Sequence, residues 1–199
     1  MTQSVPPTAE RLIFAAMRLF SEKGYGSTSV ADILREAGAN SGSLYHAFPT
    51  KQDLLIAVLQ TYREGIGPML LAPAWEGVED PIERVFALLA RYRLGLEQTD
   101  WIYGCPIGSL ALELHEPDPA VREMLALNFE AWVEAVKACL DAAAGRLPAG
   151  TDTRALAQFV LTVMEGGVMQ ARTHRGPETF DASVAMLRDY FSRLLDAAG

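Results

Sequence analysis

Residues 28–51 read TSVADILREAGANSGSLYHAFPTK, and the order of capping, apolar and small residues in this stretch decides the fold. Thr28-Ser29 opens a short helix, and Ser29 and Asp32 form a capping-box pattern with Asp in place of Glu. Val30, Ile33, Leu34 and Ala37 recur at helical spacing as its inner face, and Gly38 breaks it. Asn40 can cap a third short helix running through Phe48, where Pro49 stops it. Thr50 and Asp53 repeat the capping-box pattern and start a fourth helix carrying Leu54, Leu55, Val58, Leu59 and Tyr62. Upstream, Leu12, Ala15, Ala16, Leu19 and Phe20 make one stripe of a longer helix that Thr8 can cap and Gly24 ends. Two short helices joined by a Gly-containing turn, behind a longer packing helix, are a helix-turn-helix arrangement.

Beyond residue 68 the helical segments lengthen. Breaks fall at Pro73–Pro81, Glu116–Pro119, Gly145–Thr151 and Thr173–Thr179, and Gly65, Gly67 and Pro68 weaken the end of the fourth helix. Between them run the stripes Leu125, Phe129, Trp132, Val136, Leu140, then Leu156, Val160, Val163, Gly167, Ala171, then Val184, Leu187, Phe191, Leu194. No alternating run bounded by hairpin turns is present. The expectation is an all-α protein of about nine helices. A three-helix head is expected over residues 1–52, and a larger helical domain over residues 53–199.

Charge divides along the same line. The chain of 199 residues carries 17 basic and 25 acidic side chains, a net −8. Residues 1–65 hold six of each sign, so the whole excess lies in residues 66–199. A uniformly acidic protein makes a poor nucleic-acid binder, whereas a neutral head on an acidic body points to two roles. Met1–Pro7 lacks the basic and apolar regions of a secretory signal, and no apolar run is long enough to span a bilayer. Two cysteines make no disulfide framework, so a cytoplasmic location is expected.

The string Ala15-x-x-Leu-Phe20, Gly24-Tyr25, Thr28-Ser29-Val30-x-Asp32-Ile33, Ala37-Gly38, Gly42-Ser43-Leu44-Tyr45-His46-x-Phe48 and Lys51-x-x-Leu54 resembles the TetR family of bacterial transcriptional regulators. The likeness covers about 50 N-terminal residues. It implies that the third helix enters a major groove of double-stranded DNA, with Tyr45 and His46 as phosphate contacts. The residues suit the task. Asn40, Ser41 and Ser43 can hydrogen-bond bases or phosphates, and Gly42 is small enough for close approach. Lys51 and Thr28 stand at helix starts, where a phosphate also meets backbone N–H groups. Tyr45 and Phe48 equally suit the core of a three-helix bundle, and Asn40 can serve as a cap alone. Position 41 is Ser where many relatives carry a basic residue, and position 34 is Leu where a smaller residue is common. So few basic residues imply a modest salt dependence.

One such head makes too little contact for tight specific binding, so a homodimer on a near-palindromic operator is expected. The candidate interface is Leu156, Val160, Val163, Gly167, Val184, Leu187, Phe191 and Leu194, with Gly166 and Gly167 allowing close backbone approach. By resemblance, a small-molecule effector binds the C-terminal domain and releases the protein, as a repressor, from its operator. Phe86, Tyr92, Trp101, Tyr103, Cys105, Phe129, Trp132 and Met164 are the candidate pocket, suited to a flat or apolar molecule. Pro106 fits a first helical position, which puts Cys105 at the cap, where the helix field activates a thiol. This Gly-Cys-x-x-Gly string resembles one in a subset of the family that includes sensors of electrophiles. Core packing is the alternative for each of these residues.

No phosphate loop, nucleophile elbow or HExxH motif is present, so neither cofactor nor catalysis is expected. The histidines lack metal-ligand spacing, and Glu113, His115, Glu116 and Asp118 read as a helix end and a solvated loop. The competing reading is a helical small-molecule carrier or enzyme whose N-terminal bundle is structural. The Gly42–Lys51 string is the feature such a bundle would not need.

Overall fold

A computed structural model describes residues 7–198. The expectation for Met1–Pro7 therefore concerns a segment of which six residues lie outside the described ones. Every regular element among the described residues is helical. In order they are α1 (Thr8–Lys23), α2 (Val30–Ala37), α3 (Ser41–Ala47), α4 (Lys51–Gly65), α5 (Ala72–Trp75), α6 (Pro81–Gln98), α7 (Pro106–Glu113), α8 (Pro119–Ala142), α9 (Thr153–His174) and α10 (Glu178–Asp196). Setting aside the four-residue α5, nine helices remain, in line with the sequence expectation. The weakened end of α4 passes into a π-helical turn at Ile66–Leu71.

The chain forms two compact units. Residues 1–64 and 106–128 make one, and residues 65–105 and 129–199 the other. The boundary expected after residue 52 thus falls inside α4, whose residues group with the head. The physical reason is α4's buried face of Leu54, Leu55, Val58 and Leu59. The buried Asn128 of α8 adds to it by donating from Nδ2 to the Leu59 carbonyl at 3.0 Å.

Within the first unit, local chemistry sets each helix end. Ser29 and Asp32 close a reciprocal capping box on α2. Asn40 Oδ1 accepts the Ser43 N–H at 2.9 Å at the start of α3. Thr50 and Asp53 pair in the same way as Ser29 and Asp32, at 2.9 and 3.1 Å. The Asp32 carboxyl, held by the Ser29 hydroxyl and N–H and by Arg35, is lowered to about 2. Gly38 ends α2 at φ 57°, the left-handed conformation that favours glycine. The expected Thr8 cap is not formed. Thr8 is already helical, Pro7 takes the cap position, and no side chain caps the helix.

Arg11 ties α1 to the end of α2, donating from Nε to the Ala37 carbonyl at 3.1 Å. Thr28 is 1% exposed. Its hydroxyl lies 2.7 Å from the Gly24 carbonyl and 3.2 Å from that of Leu19, closing the α1–α2 turn from inside. Thr28→Val keeps the shape and strands those carbonyls. The expected loss is about 1–2 kcal/mol, read as a lower denaturant midpoint at unchanged slope. Wild-type stability in this variant would contradict the assignment.

Candidate functional site

The exposed side of α3 is built from its sequence period. Leu44 is 0% exposed and pins the helix to the head. Ser41 and Tyr45, and likewise Gly42 and His46, stand four apart and so share a face. All four are exposed, with Tyr45 53% accessible. Asn40 is exposed as well, and Ser43 is half-buried. Because Asn40 spends its oxygen on the Ser43 N–H, its amide Nδ2 is the group left to face a base. Phe48 is half-buried beneath this surface.

Two expected phosphate contacts are placed differently. Thr28 is unavailable, because its side chain is buried and donating to carbonyls within the turn. Lys51 does open α4, but its Nζ donates to the Tyr25 carbonyl and sits 4.0 Å from the centroid of the Tyr25 ring. Burial holds the ammonium below the ordinary lysine value, while the charge of Glu113 acts the other way.

Glu113, which the sequence places at a helix end, turns onto the α1–α2 turn rather than into solvent. From the last position of α7 its Oε1 accepts the Gly26 N–H at 2.6 Å and its Oε2 the Tyr25 N–H at 2.9 Å. A Cβ on Gly24 would stand 3.0 Å from both carboxylate oxygens, and Gly24 has φ 83°. The Gly24-Tyr25-Gly26 string thus admits a carboxylate against bare backbone. Burial raises the Tyr25 phenol and Glu113 adds to the shift. Tyr25 also packs edge-on against Phe20, with centroids 5.2 Å apart.

In the second unit, three of the eight expected pocket residues come together. Cys105, Glu165 and Trp132 all act on Tyr92, and Cys105 acts on Glu165 as well. Burial pushes the Tyr92 phenol well above its usual value and raises Glu165 too. Cys105 immediately precedes α7, as read from Pro106, and is itself buried. Phe86 stands edge-on to Phe191 at 5.4 Å with the Arg188 guanidinium 3.8 Å over its ring. Trp101 caps a tight turn at φ 59°, its carbonyl accepting from Arg175. Met164 is fully buried, and Tyr103 and Phe129 are half-buried. Among the described residues no group of three or more His, Cys, Asp and Glu is placed to hold a metal.

The expected dimer stripe needs correction. Leu156, Val160, Gly167, Leu187 and Phe191 are buried within the chain, while Val163, Val184 and Leu194 are half-buried. Gly167 makes its close approach to α10 of the same chain, where a Cβ would come 2.9 Å from Cδ2 of Phe180. Those five residues are core because α9 and α10 pack on each other and on α6. The faces turned outward carry Phe159, Met169, Met186 and Tyr190, all more than 40% exposed.

Comparison with known proteins gives this architecture a family. A model of bacterial regulatory proteins of the tetR family matches residues 12–58, and a model of the tetracyclin repressor-like C-terminal domain matches residues 81–187. The chain is 30% identical over 166 residues to the uncharacterized HTH-type transcriptional regulator YxaF of Bacillus subtilis, covering 83% of this chain and 85% of that one. It is 30% identical over 167 residues to the HTH-type transcriptional regulator LmrA of the same organism, covering 82% and 86%. The crystal structure of regulatory protein TetR from Rhodobacter sphaeroides matches with a TM-score of 0.81 at 27% identity, covering 90% and 96%. The C-terminal match spans more than half of the chain. A carrier or enzyme with a structural bundle is thereby set aside, and the chain belongs to the tetR family of DNA-binding, helix-turn-helix transcriptional regulators.

Proposed function

We propose that this regulator is a homodimeric repressor, released from a near-palindromic operator by a small-molecule effector bound in its second unit. The observation that carries the reading is the face of α3, where Ser41, Gly42, Tyr45 and His46 are exposed on a helix anchored by the fully buried Leu44. Asn40 Nδ2 and the Ser41 and Ser43 hydroxyls read base edges in the major groove. Tyr45, His46 and the first N–H groups of α4 hold phosphates. Lys51 acts by bracing the Tyr25 turn and lends its charge at short range. The protein works in the cytoplasm beside its DNA, and no helix among the described residues is long and apolar enough to cross a membrane.

The dimer forms through the outward faces of α9 and α10. Phe159 and Tyr190 already pair edge-on at 5.7 Å, and Met186 lies one turn from Tyr190. Such apolar side chains exposed together mark an association surface. The effector is an apolar or aromatic molecule. The burial of Cys105 and its bond to Glu165 favour non-covalent recognition over capture of an electrophile by the thiol.

Selection of bound genomic fragments, followed by anisotropy titration, tests the reading. Asn40→Asp keeps the cap oxygen and removes the amide donor. It should relax preference at one base position by about 1–3 kcal/mol with the fold intact. His46→Ala should weaken all sequences alike, by roughly threefold to tenfold. Absence of any salt-sensitive complex would overturn the α3 assignment. Sedimentation at micromolar concentration should give the mass of two chains, and Tyr190→Glu the mass of one. A monomeric wild type would remove the dimer.

A further inference from the structure

Glu113 stands where its own helix gains nothing from it. It is the last residue of α7, and an acidic side chain there opposes the negative end of the helix dipole. It is also exposed, so water is available to it. Its carboxylate instead reaches the α1–α2 turn, where Oε1 accepts the Gly26 N–H at 2.6 Å and Oε2 the Tyr25 N–H at 2.9 Å. Two glycines make room for it. A Cβ on Gly24 would stand 3.0 Å from both oxygens, and one on Gly26 3.1 Å from Oε1. Both bonds are charge-assisted, and all these residues belong to the first unit.

The peptide between Tyr25 and Gly26 is held at its other end as well. Its carbonyl accepts from Lys51 Nζ and, at 3.3 Å, from the Thr28 N–H. Thr28 precedes Ser29, the N-cap of α2, and Lys51 is the first residue of α4. Tyr25 and Lys51 are 26 residues apart, and the whole of α2 and α3 lies between them. The Lys51–Tyr25 bond therefore closes the segment that carries the exposed face of α3, and Glu113 fixes the peptide on which it closes. A lysine on one neutral carbonyl is a loose fastening, because a long side chain must give up its rotamer freedom. A carboxylate on the N–H of the same peptide polarises it and strengthens the bond at its carbonyl.

We infer that Glu113 is a positioning residue for DNA binding, which acts through the Tyr25–Gly26 peptide and Lys51 to hold the starts of α2 and α4 at the spacing that seats α3 in the groove. The inference rests on the α3 reading given above. A segment already ordered in its bound form loses less freedom on the DNA. The sign of the effect is diagnostic. Glu113 is an anion on a unit that meets phosphates, so on charge alone its removal should tighten binding. The clasp demands the opposite.

The test is anisotropy titration of the full chain with a genomic fragment that the wild type selects. Glu113→Gln should weaken binding by about fivefold to twentyfold. Its salt slope should not change, because no phosphate contact is removed. Glu116→Gln removes the same charge at an exposed position three residues on and should bind no more weakly than the wild type. Gly26→Ala keeps every charge and crowds the carboxylate. It should weaken binding by roughly twofold to fivefold, which holds the test open if Glu113→Gln does not fold. In amide NMR spectra of Glu113→Gln the Tyr25 and Gly26 N–H signals should move upfield. Tighter or unchanged binding by Glu113→Gln, equal weakening by Glu116→Gln, or Tyr25 and Gly26 signals that stay in place would overturn the inference. His46→Ala in the same titration separates the two readings. Weakening by His46→Ala alone leaves the α3 reading and removes the clasp. Weakening by Glu113→Gln alone supports the clasp and removes the phosphate contact at His46.

Discussion

A helix of seven residues has too few internal hydrogen bonds to persist alone in water, so α3 exists only because other elements hold it. Leu44 supplies the apolar anchor and Asn40 the cap, and each side chain spent this way is one fewer for reading DNA. The division is tight. Leu44 faces in, Ser41, Gly42, Tyr45 and His46 face out, and Asn40 does both with different atoms. The longer α1 gives a wall with Leu12, Ala16 and Phe20, and Arg11 fixes the end of α2 against it. The reading surface is thus the remainder of a packing problem.

Electrostatics follow from the same economy. Residues 1–65 carry no net charge, and the lysine at the start of α4 is turned inward onto Tyr25. Glu113 neutralises part of that positive charge while it holds two N–H groups of the α1–α2 turn. In the complex proposed above, contact with phosphate falls to Tyr45, His46 and helix N-termini rather than to a broad basic surface. Such contacts release few counterions, and the acidic second unit adds no non-specific attraction. In that proposed complex, affinity comes from fit to a particular groove more than from net attraction.

How legible each feature was in the sequence tracks sequence separation. The Ser29–Asp32 and Thr50–Asp53 boxes and the Asn40 cap are three-residue patterns, and all three form. Gly24 and Gly38 end their helices as their positions imply. Thr28 was misread because a hydroxyl at a helix start looks the same whether it faces solvent or two carbonyls. Glu113 looks like a solvated helix end in the sequence because its partners lie 87 and 88 residues away, and only the bareness of Gly24-Tyr25-Gly26 hints at an anion there. Glu165 carried a fainter signal, a lone carboxylate between Met164 and Gly166 in an apolar helix. Burial of a charge in such a run needs a partner, and Cys105, the partner it has, is 60 residues upstream.

Five of the eight residues of the expected dimer stripe lie inside the chain, for an instructive reason. Apolar periodicity shows that a helix has a buried face but not what buries it. In α9 the residues at strict helical spacing, Leu156, Val160, Met164 and Gly167, are the ones its own chain covers. The outer residues, Phe159 and Met169, break the period with the polar Thr162 and the bare Gly166 between them, and so carry little sequence signal. A surface that must be tolerable in water before association cannot be as continuous as a core. The surface proposed for the dimer shows instead as isolated large side chains, Phe159, Met169, Met186 and Tyr190, on faces the fold has left over. An interface of that kind becomes visible only once the intrachain packing is known and subtracted.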